Sequence, residues 1–322
     1  MEPDRETVRK WLLSTPKYVD QWYLYDTYGS HLYEKVTTDN PHYDTYRKEM
    51  HILRQYADEI VSDLQDVILC ELGAGNASKT THLITALLKN NIPLTYMPID
   101  VAKDFMEHHA SLLMERFCGL VVKPITGLYI DGLNHLKNFR QNKLLIFLGG
   151  SFSNVPMPEM ELLLTSIREA LADSDRFLVG IDITQNKKRQ LAAYSHQETI
   201  APFILNVLTR LNREHGANFN LRKFRLCSKY VTSDSEDTFV ENPQYIQIAC
   251  QSTCEQVVHI DNLDLKIYMK KGEMIYAHDP EYMSLKWNWE QFQATMTKAG
   301  FAIEKKWSDD QNSFGVALLK KL

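Results

Sequence analysis

The sequence predicts an α/β fold built on a parallel, doubly wound sheet, and three observations carry that expectation. Short apolar runs alternate with helical periodicities between about residues 66 and 182, a glycine-rich turn follows the first run, and an acid closes the second. Alternation of this kind implies parallel strands with helices on both faces, and ligands then bind at the carboxyl edge of the sheet.

Residues from about Arg5 to Tyr56 read as helices broken by turns at Tyr28-Gly29-Ser30 and Asn40-Pro41, where Gly and Pro interrupt the 3.6-residue period. The stretch is dense in tyrosine: Tyr18, Tyr23, Tyr25, Tyr28, Tyr33, Tyr43 and Tyr46. Such rings serve as apolar bulk, or they line a pocket for a polar or cationic ligand. Val67-Ile68-Leu69-Cys70-Glu71-Leu72 is the first strand, followed by Gly73-Ala74-Gly75 and a helix with Leu83, Ile84, Leu87 and Leu88 on one face. Residues 94–100 form a second strand, 105–117 a helix and 120–125 a further strand. Leu144-Leu145-Ile146-Phe147-Leu148 is apolar throughout and ends in Gly149-Gly150, the pattern of a central buried strand. Residues 159–171 read as a helix and 176–182 as a strand. Beyond Asp182 the rhythm breaks: 190–214 look helical, while 245–252 and 256–269 look like antiparallel strands. A helix over 289–299 and a strand over 314–319 close the chain, the strand returning to the first sheet.

Composition narrows the function. The 322 residues are 44% hydrophobic and carry 41 acids against 36 bases, a net charge of −5, which excludes intrinsic disorder and offers no phosphate track for nucleic acid. No run of about 18 apolar residues exists, so no membrane helix is expected. The start, MEPDRETVRKWLL, lacks the apolar core of a secretory signal. Five cysteines, an odd number, suggest reduced thiols and a cytoplasmic location. Cys250, Cys254 and His259 lie close together, but the second ligand pair of a zinc site is missing and no metal is expected.

The strongest local signal is Glu71-Leu72-Gly73-Ala74-Gly75-Asn76-Ala77-Ser78-Lys79, with Asp100 ending the next strand 25 residues after Gly75. The turn admits a ligand to the backbone, and a strand-terminal carboxylate accepts both hydroxyls of a ribose. Ser78 stands where a dinucleotide fingerprint has its third glycine, and no phosphate-binding loop of the nucleotide triphosphatases is present. The pair fits NAD or S-adenosylmethionine. Leu148-Gly149-Gly150-Ser151-Phe152-Ser153-Asn154 opens on the same edge, with Ser151 and Asn154 as hydrogen-bonding groups; the plain alternative makes Asn154 a helix cap.

Several segments taken together resemble a known family. Tyr25-Asp-Thr-Tyr-Gly-Ser-His-Leu-Tyr33, Pro41-His-Tyr43, Glu71-Leu-Gly-Ala-Gly75 with Lys79, Pro98-Ile-Asp100, the segment ending in Asn154, and Phe203-Ile-Leu-Asn206 through Asn212-Arg-Glu214 are similar to the histidine Nα-methyltransferases of ergothioneine biosynthesis. Fungal relatives of that family act on tryptophan-derived amines. The resemblance runs from about residue 20 to the C-terminus. It implies a Rossmann-like class I methyltransferase sheet with a second, intertwined α+β substrate domain. The donor domain would span residues 48–185 plus 286–322 and the amino-acid domain 1–47 plus 186–285.

By that resemblance the cofactor is S-adenosylmethionine, held by Tyr25, Gly73, Lys79, Asp100, Leu128 and Tyr129. Lys79 would pair with the methionine carboxylate. Tyr33, Tyr43, Gly149, Ser151, Asn154, Tyr194, Ile248, Tyr282 and Ser284 would surround the substrate, with Tyr43 and Asn154 as the catalytic pair at its α-amine. The partner is a small amino acid, with no nucleic acid and no membrane, and the enzyme is expected to be a monomer.

Two departures from the family pattern stand out. Leu128 replaces the acid that meets the adenine amine, with Asp131 as a nearby substitute. The imidazole-reading Glu-x-Ser matches Tyr282-Met283-Ser284, or alternatively His278 takes the acid's place. Ile248 stands for a methionine and Tyr33 for a phenylalanine. Losing a polar partner relaxes discrimination, so histidine and a larger aromatic amino acid both remain open. An NAD-dependent oxidoreductase, a non-catalytic binding protein on the same scaffold, and more weakly a nucleic-acid methyltransferase are the alternatives.

Overall fold

Val67–Leu72 (β1) is buried at every position, as a strand covered on both faces by helices must be. Its neighbours in the computed structural model, which describes residues 3–90, 93–232, 244–278 and 284–322, are Leu94–Asp100 (β2) on one side and Asn142–Phe147 (β4) on the other. With Leu120–Val122 (β3), Arg176–Asp182 (β5), Phe301–Ser308 (β6) and Phe314–Lys321 (β7), the order is β6-β7-β5-β4-β1-β2-β3. The five strands from β5 to β3 run parallel, and Ile125–Thr126 extends the pairing along β2. The last strand, β7, returns antiparallel against β5, with β6 antiparallel outside it. Strand order reverses between β1 and β4, and the crevice at such a switch point is where doubly wound sheets bind ligands. The turns after β1 and β4 hold Gly73 and Gly149.

The chain divides into two compact units. The sheet lies in the unit of residues 45–185 and 286–322, whose core joins Ile52, Leu53 and Ile60 of the helix Thr45–Ile60 to Leu69, Ile146, Leu178, Phe314 and Val316 of the strands. Helices Thr81–Leu87, Lys103–Arg116, Tyr129–Leu136 and Met157–Ala170 link the parallel strands.

Residues 3–44, 186–232 and 244–285 form the other unit. Its helices are Arg5–Leu13, Thr27–Asp39, Lys187–Tyr194 and Ile200–His215, and its sheet pairs Phe224–Val231 and Met274–Tyr276 antiparallel to Gln244–Ser252. Gln256–Ile260 and Leu265–Met269 make a separate hairpin. Trp11, Tyr23, Ile204, Val207, Ile246 and Ile275 are buried together in its core.

Two expectations from sequence need correction. Tyr28-Gly29-Ser30 is no turn but the first helical turn of Thr27–Asp39. Asp26 caps that helix, its Oδ1 accepting the Gly29 N–H at 2.7 Å, and a Cβ at Gly29 would collide with the Leu24 carbonyl. The helix expected over 190–214 is two helices, the second capped by Gly216 at φ +63°.

Candidate active site

In the sheet unit, the turn after β1 is shaped by two left-handed glycines, Gly73 at φ +70° and Gly75 at +54°. The Gly73 N–H donates to the Ile99 carbonyl of β2 at 2.9 Å. Asp100 closes the frame: its Oδ2 accepts the Gly75 N–H and its Oδ1 the Ala102 N–H, each at 2.9 Å. A carboxylate offers about four lone-pair sites, so acceptor capacity remains for the two hydroxyls of a ribose. Burial raises the Asp100 pKa, and the backbone donors oppose that rise.

A Cβ at Gly73 would stand 3.4 Å from the Tyr129 hydroxyl and 3.5 Å from Ser151 Oγ. Tyr129 packs edge-on against Phe147 with ring centroids 4.8 Å apart. Burial raises the Tyr129 pKa, so its hydroxyl stays protonated. Gly73, Asp100 and Tyr129, expected at the donor, therefore lie together, and Ser151, expected at the substrate, lies beside them. Leu128 precedes the helix Tyr129–Leu136, and its N–H donates to Asp131 Oδ2 at 2.9 Å. Asp131 is thus committed to capping that helix, which weighs against the expectation that it substitutes for the adenine-reading acid.

Lys79 has a partner that sequence reasoning missed. Its Nζ lies 2.5 Å from Oε2 of Glu49, a fully buried acid on the helix Thr45–Ile60. The same carboxylate accepts the Gly149 N–H, at 2.8 Å to Oε2 and 3.1 Å to Oε1. Gly149 is therefore not a free donor; its φ of +78° and missing Cβ instead leave room for the lysine, since a Cβ there would lie 2.9 Å from Nζ. Beyond it, Ser151–Asn154 form a short 3₁₀ turn held by Phe152, stacked on Trp287 at 5.8 Å, and by the Trp287 indole N–H donating to Ser153 Oγ at 3.2 Å. Asn154 is half-buried, and its amide makes no hydrogen bond among the described residues, so it is no helix cap. Behind the glycine turn, the buried Glu71 accepts the Thr80 hydroxyl at 2.7 and 2.8 Å and also the Tyr96 hydroxyl; burial pushes its pKa up to about 7.

In the other unit, four expected tyrosines form a run of ring contacts, two of them against Phe203. Tyr25 and Tyr33 are edge-to-face at 5.7 Å, each 5.5 Å from Phe203. The Tyr33 and Tyr43 hydroxyls are 3.3 Å apart, and Tyr43 meets Tyr194 at 5.6 Å. Asn40 sets Tyr43 by accepting its N–H at 3.2 Å and pins Ala193 beside Tyr194 by donating to its carbonyl at 2.9 Å. The Tyr194 hydroxyl lies 2.6 Å from Ser284 Oγ. Burial, with the neighbouring tyrosine hydroxyls, holds the Tyr33 pKa well above the usual range, so this hydroxyl stays protonated. The array can do two things: offer hydroxyls to the amino and carboxylate ends of a ligand, and shelter a cation with ring faces. Ile248 lies buried in the same core, its N–H donating to Nε2 of the buried His278 at 3.4 Å. Tyr282 lies outside the described residues.

Comparison with known proteins agrees with this chemistry. The pattern of the family described as "Histidine-specific methyltransferase, SAM-dependent" matches residues 4–321. The histidine N-alpha-methyltransferase of Mycolicibacterium smegmatis is 28% identical over 98% of this chain and 94% of its own. The protein of the same name from Mycobacterium tuberculosis is 26% identical over the same shares. The 4-dimethylallyltryptophan N-methyltransferase easF of Trichophyton verrucosum is 24% identical over 64% of each chain.

Proposed function

We propose a function from one settled premise: the chain belongs to the histidine-specific, S-adenosylmethionine-dependent methyltransferase family. It is an enzyme that N-methylates an amino acid with S-adenosylmethionine as donor. That assignment removes the NAD-dependent and non-catalytic alternatives. The finer reading is ours: the acceptor is the α-amino group of an aromatic amino acid, histidine or a tryptophan-type substrate, carried to a betaine. The observation that supports it best is the Gly73–Asp100 frame in one unit together with the tyrosine array in the other.

The donor supplies an electrophilic methyl on a sulfonium. Asp100 fits its ribose hydroxyls, Gly73 gives backbone approach, and Tyr129, Ser151 and Leu128 line that cradle. Lys79 pairs with the methionine carboxylate, alongside its bond to Glu49. Asn154, its amide uncommitted among the described residues, and Tyr43 orient the substrate's amine, Tyr33 and Tyr194 complete its surroundings, and Tyr25 serves the donor. Ser284 steadies Tyr194, and Ile248 with Tyr282 or His278 reads the side chain. The amine attacks as a neutral base. Its ordinary pKa near 7.7–8.0 leaves about a tenth of it competent at pH 7, so orientation rather than a strong base is what the residues must provide. Gly149 acts through Glu49 and Lys79 rather than by donating to substrate.

We further read the enzyme as a cytoplasmic monomer acting on a free amino acid. No helix of the described residues is long and apolar enough to cross a membrane, and the cysteines are free thiols. Incubating the protein with S-adenosylmethionine and each amino acid, then reading product masses, tests the proposal. Gains of one to three methyls on an aromatic amino acid are expected; gains confined to non-aromatic ones overturn the substrate assignment.

A further inference from the structure

Among the described residues, Glu49 is the wholly buried carboxylate of the sheet unit that touches two residues expected at the site. We propose that Glu49 is the positioning residue of the donor site: a buried counter-ion that holds the Lys79 ammonium in place and ties it to the turn at Gly149. The inference rests on the reading of Lys79 as partner of the donor's carboxylate.

The surroundings are built for this ion pair. Lys79 has a side chain only 13% exposed, and an ammonium so far withdrawn from water calls for an anion beside it. Glu49 supplies that anion at 2.5 Å and is itself anchored by the Gly149 N–H. Two glycines clear the space. A Cβ at Gly149 would lie 2.9 Å from Lys79 Nζ, and one at Gly180, inside β5, would lie 2.0 Å from Glu49 Oε1. Glycine within a central strand weakens it and marks a close approach; here the approaching group is a carboxylate. The other groups facing the pair are the Tyr46 ring, 5.7 Å from Lys79 Nζ, and Glu71, which feels both charges. Removing the Glu49 charge takes away the group that holds the ammonium in place, and the donor's carboxylate loses an aimed partner.

Calorimetric titration of S-adenosylhomocysteine and 5′-methylthioadenosine, which lacks the amino-acid end, tests this in wild type, Glu49→Gln and Lys79→Met. Glu49→Gln is expected to narrow the preference for S-adenosylhomocysteine about tenfold or more, the worth of a charged hydrogen bond. Its affinity for methylthioadenosine should stay within about twofold, because the adenosine frame is untouched. Lys79→Met should narrow the preference as much, and the double variant no further. Equal weakening of both ligands, or an unchanged preference, overturns the proposal. If Glu49→Gln does not fold, Gly180→Ala, which intrudes on Oε1, is expected to narrow the preference in the same way, and an unchanged preference there overturns it too. Wild type that binds neither ligand instead sinks the donor-site reading beneath it.

Discussion

Asp100 and Gly75 are hydrogen-bonded, carboxylate Oδ2 to backbone N–H at 2.9 Å, so the glycine turn after β1 and the acid ending β2 form one frame. The bond shows why the acid must be an aspartate. Its short stem keeps one oxygen on Gly75 and the other on Ala102. In Asp100→Asn, one end of the group becomes a donor that opposes a backbone N–H. Affinity for S-adenosylhomocysteine, read by calorimetry, should fall about 10- to 100-fold, the range for hydrogen bonds to a charged group. Unchanged affinity would remove Asp100 from the ribose.

Gly73 and Gly75 offer a comparison within one turn. Both sit at positive φ, so an alanine at either costs roughly 1–2 kcal/mol of backbone strain. They differ in space: nothing lies within 4 Å of a Cβ at Gly75, whereas one at Gly73 meets the Tyr129 hydroxyl and Ser151 Oγ. Gly73→Ala and Gly75→Ala should therefore lose similar stability on thermal denaturation, while only Gly73→Ala abolishes measurable donor binding. Equal loss of binding in both would mean that turn geometry, not the vacant Cβ position, matters.

Much of this was legible in the sequence because it is local. Apolar runs ending in glycine mark β1 and β4, and Asp100 follows its strand directly. Glu49 was not legible, since its partners lie 30 and 100 residues away. Two signals existed all the same. Glu49 shares the buried stripe of its helix with Ile52, Leu53, Ala57 and Ile60, an acid where apolar spacing asks for a core residue. Gly180 interrupts the otherwise bulky strand Phe177-Leu178-Val179-Gly180-Ile181. The turn expected at Tyr28-Gly29-Ser30 failed for a similar reason. Gly29 suggested a break, but the capping carboxylate of Asp26, three residues earlier, turns that glycine into part of a helix start. In the strand Phe224–Val231, Arg225 and Lys229 follow the alternation of an exposed face, but the apolar Cys227 between them and the polar Ser228 on the opposite face interrupt the period-two pattern.

Asn154 separates substrate from donor. Its amide is uncommitted among the described residues, so truncation removes nothing the fold uses. Asn154→Ala should raise the amino-acid KM more than about tenfold, one to two lost hydrogen bonds, while S-adenosylhomocysteine affinity holds. The reverse pattern would place Asn154 on the donor.

Glu71 makes stability depend on pH with a definite sign. Its pKa moves from an ordinary 4.5 to about 7 in the folded chain, chiefly through burial, against the opposing hydrogen bonds from Tyr96 and Thr80. Between those values the folded state holds a proton that the unfolded state has released, so stability is highest below pH 4.5 and is lost as pH rises through 7. The span is worth on the order of 3 kcal/mol. Glu71→Gln keeps a neutral acceptor for both hydroxyls and cannot ionise. Asp26 and Asp309 have lowered pKa values and push stability the other way at more acid pH, so the informative quantity is the difference between variant and wild type. Denaturant melts of the two proteins should agree near pH 4.5, with the variant gaining steadily on wild type up to pH 7–8. Parallel curves across that range would mean that Glu71 stays ionised throughout, held by its two hydroxyl donors and by Lys79 more strongly than burial disfavours it.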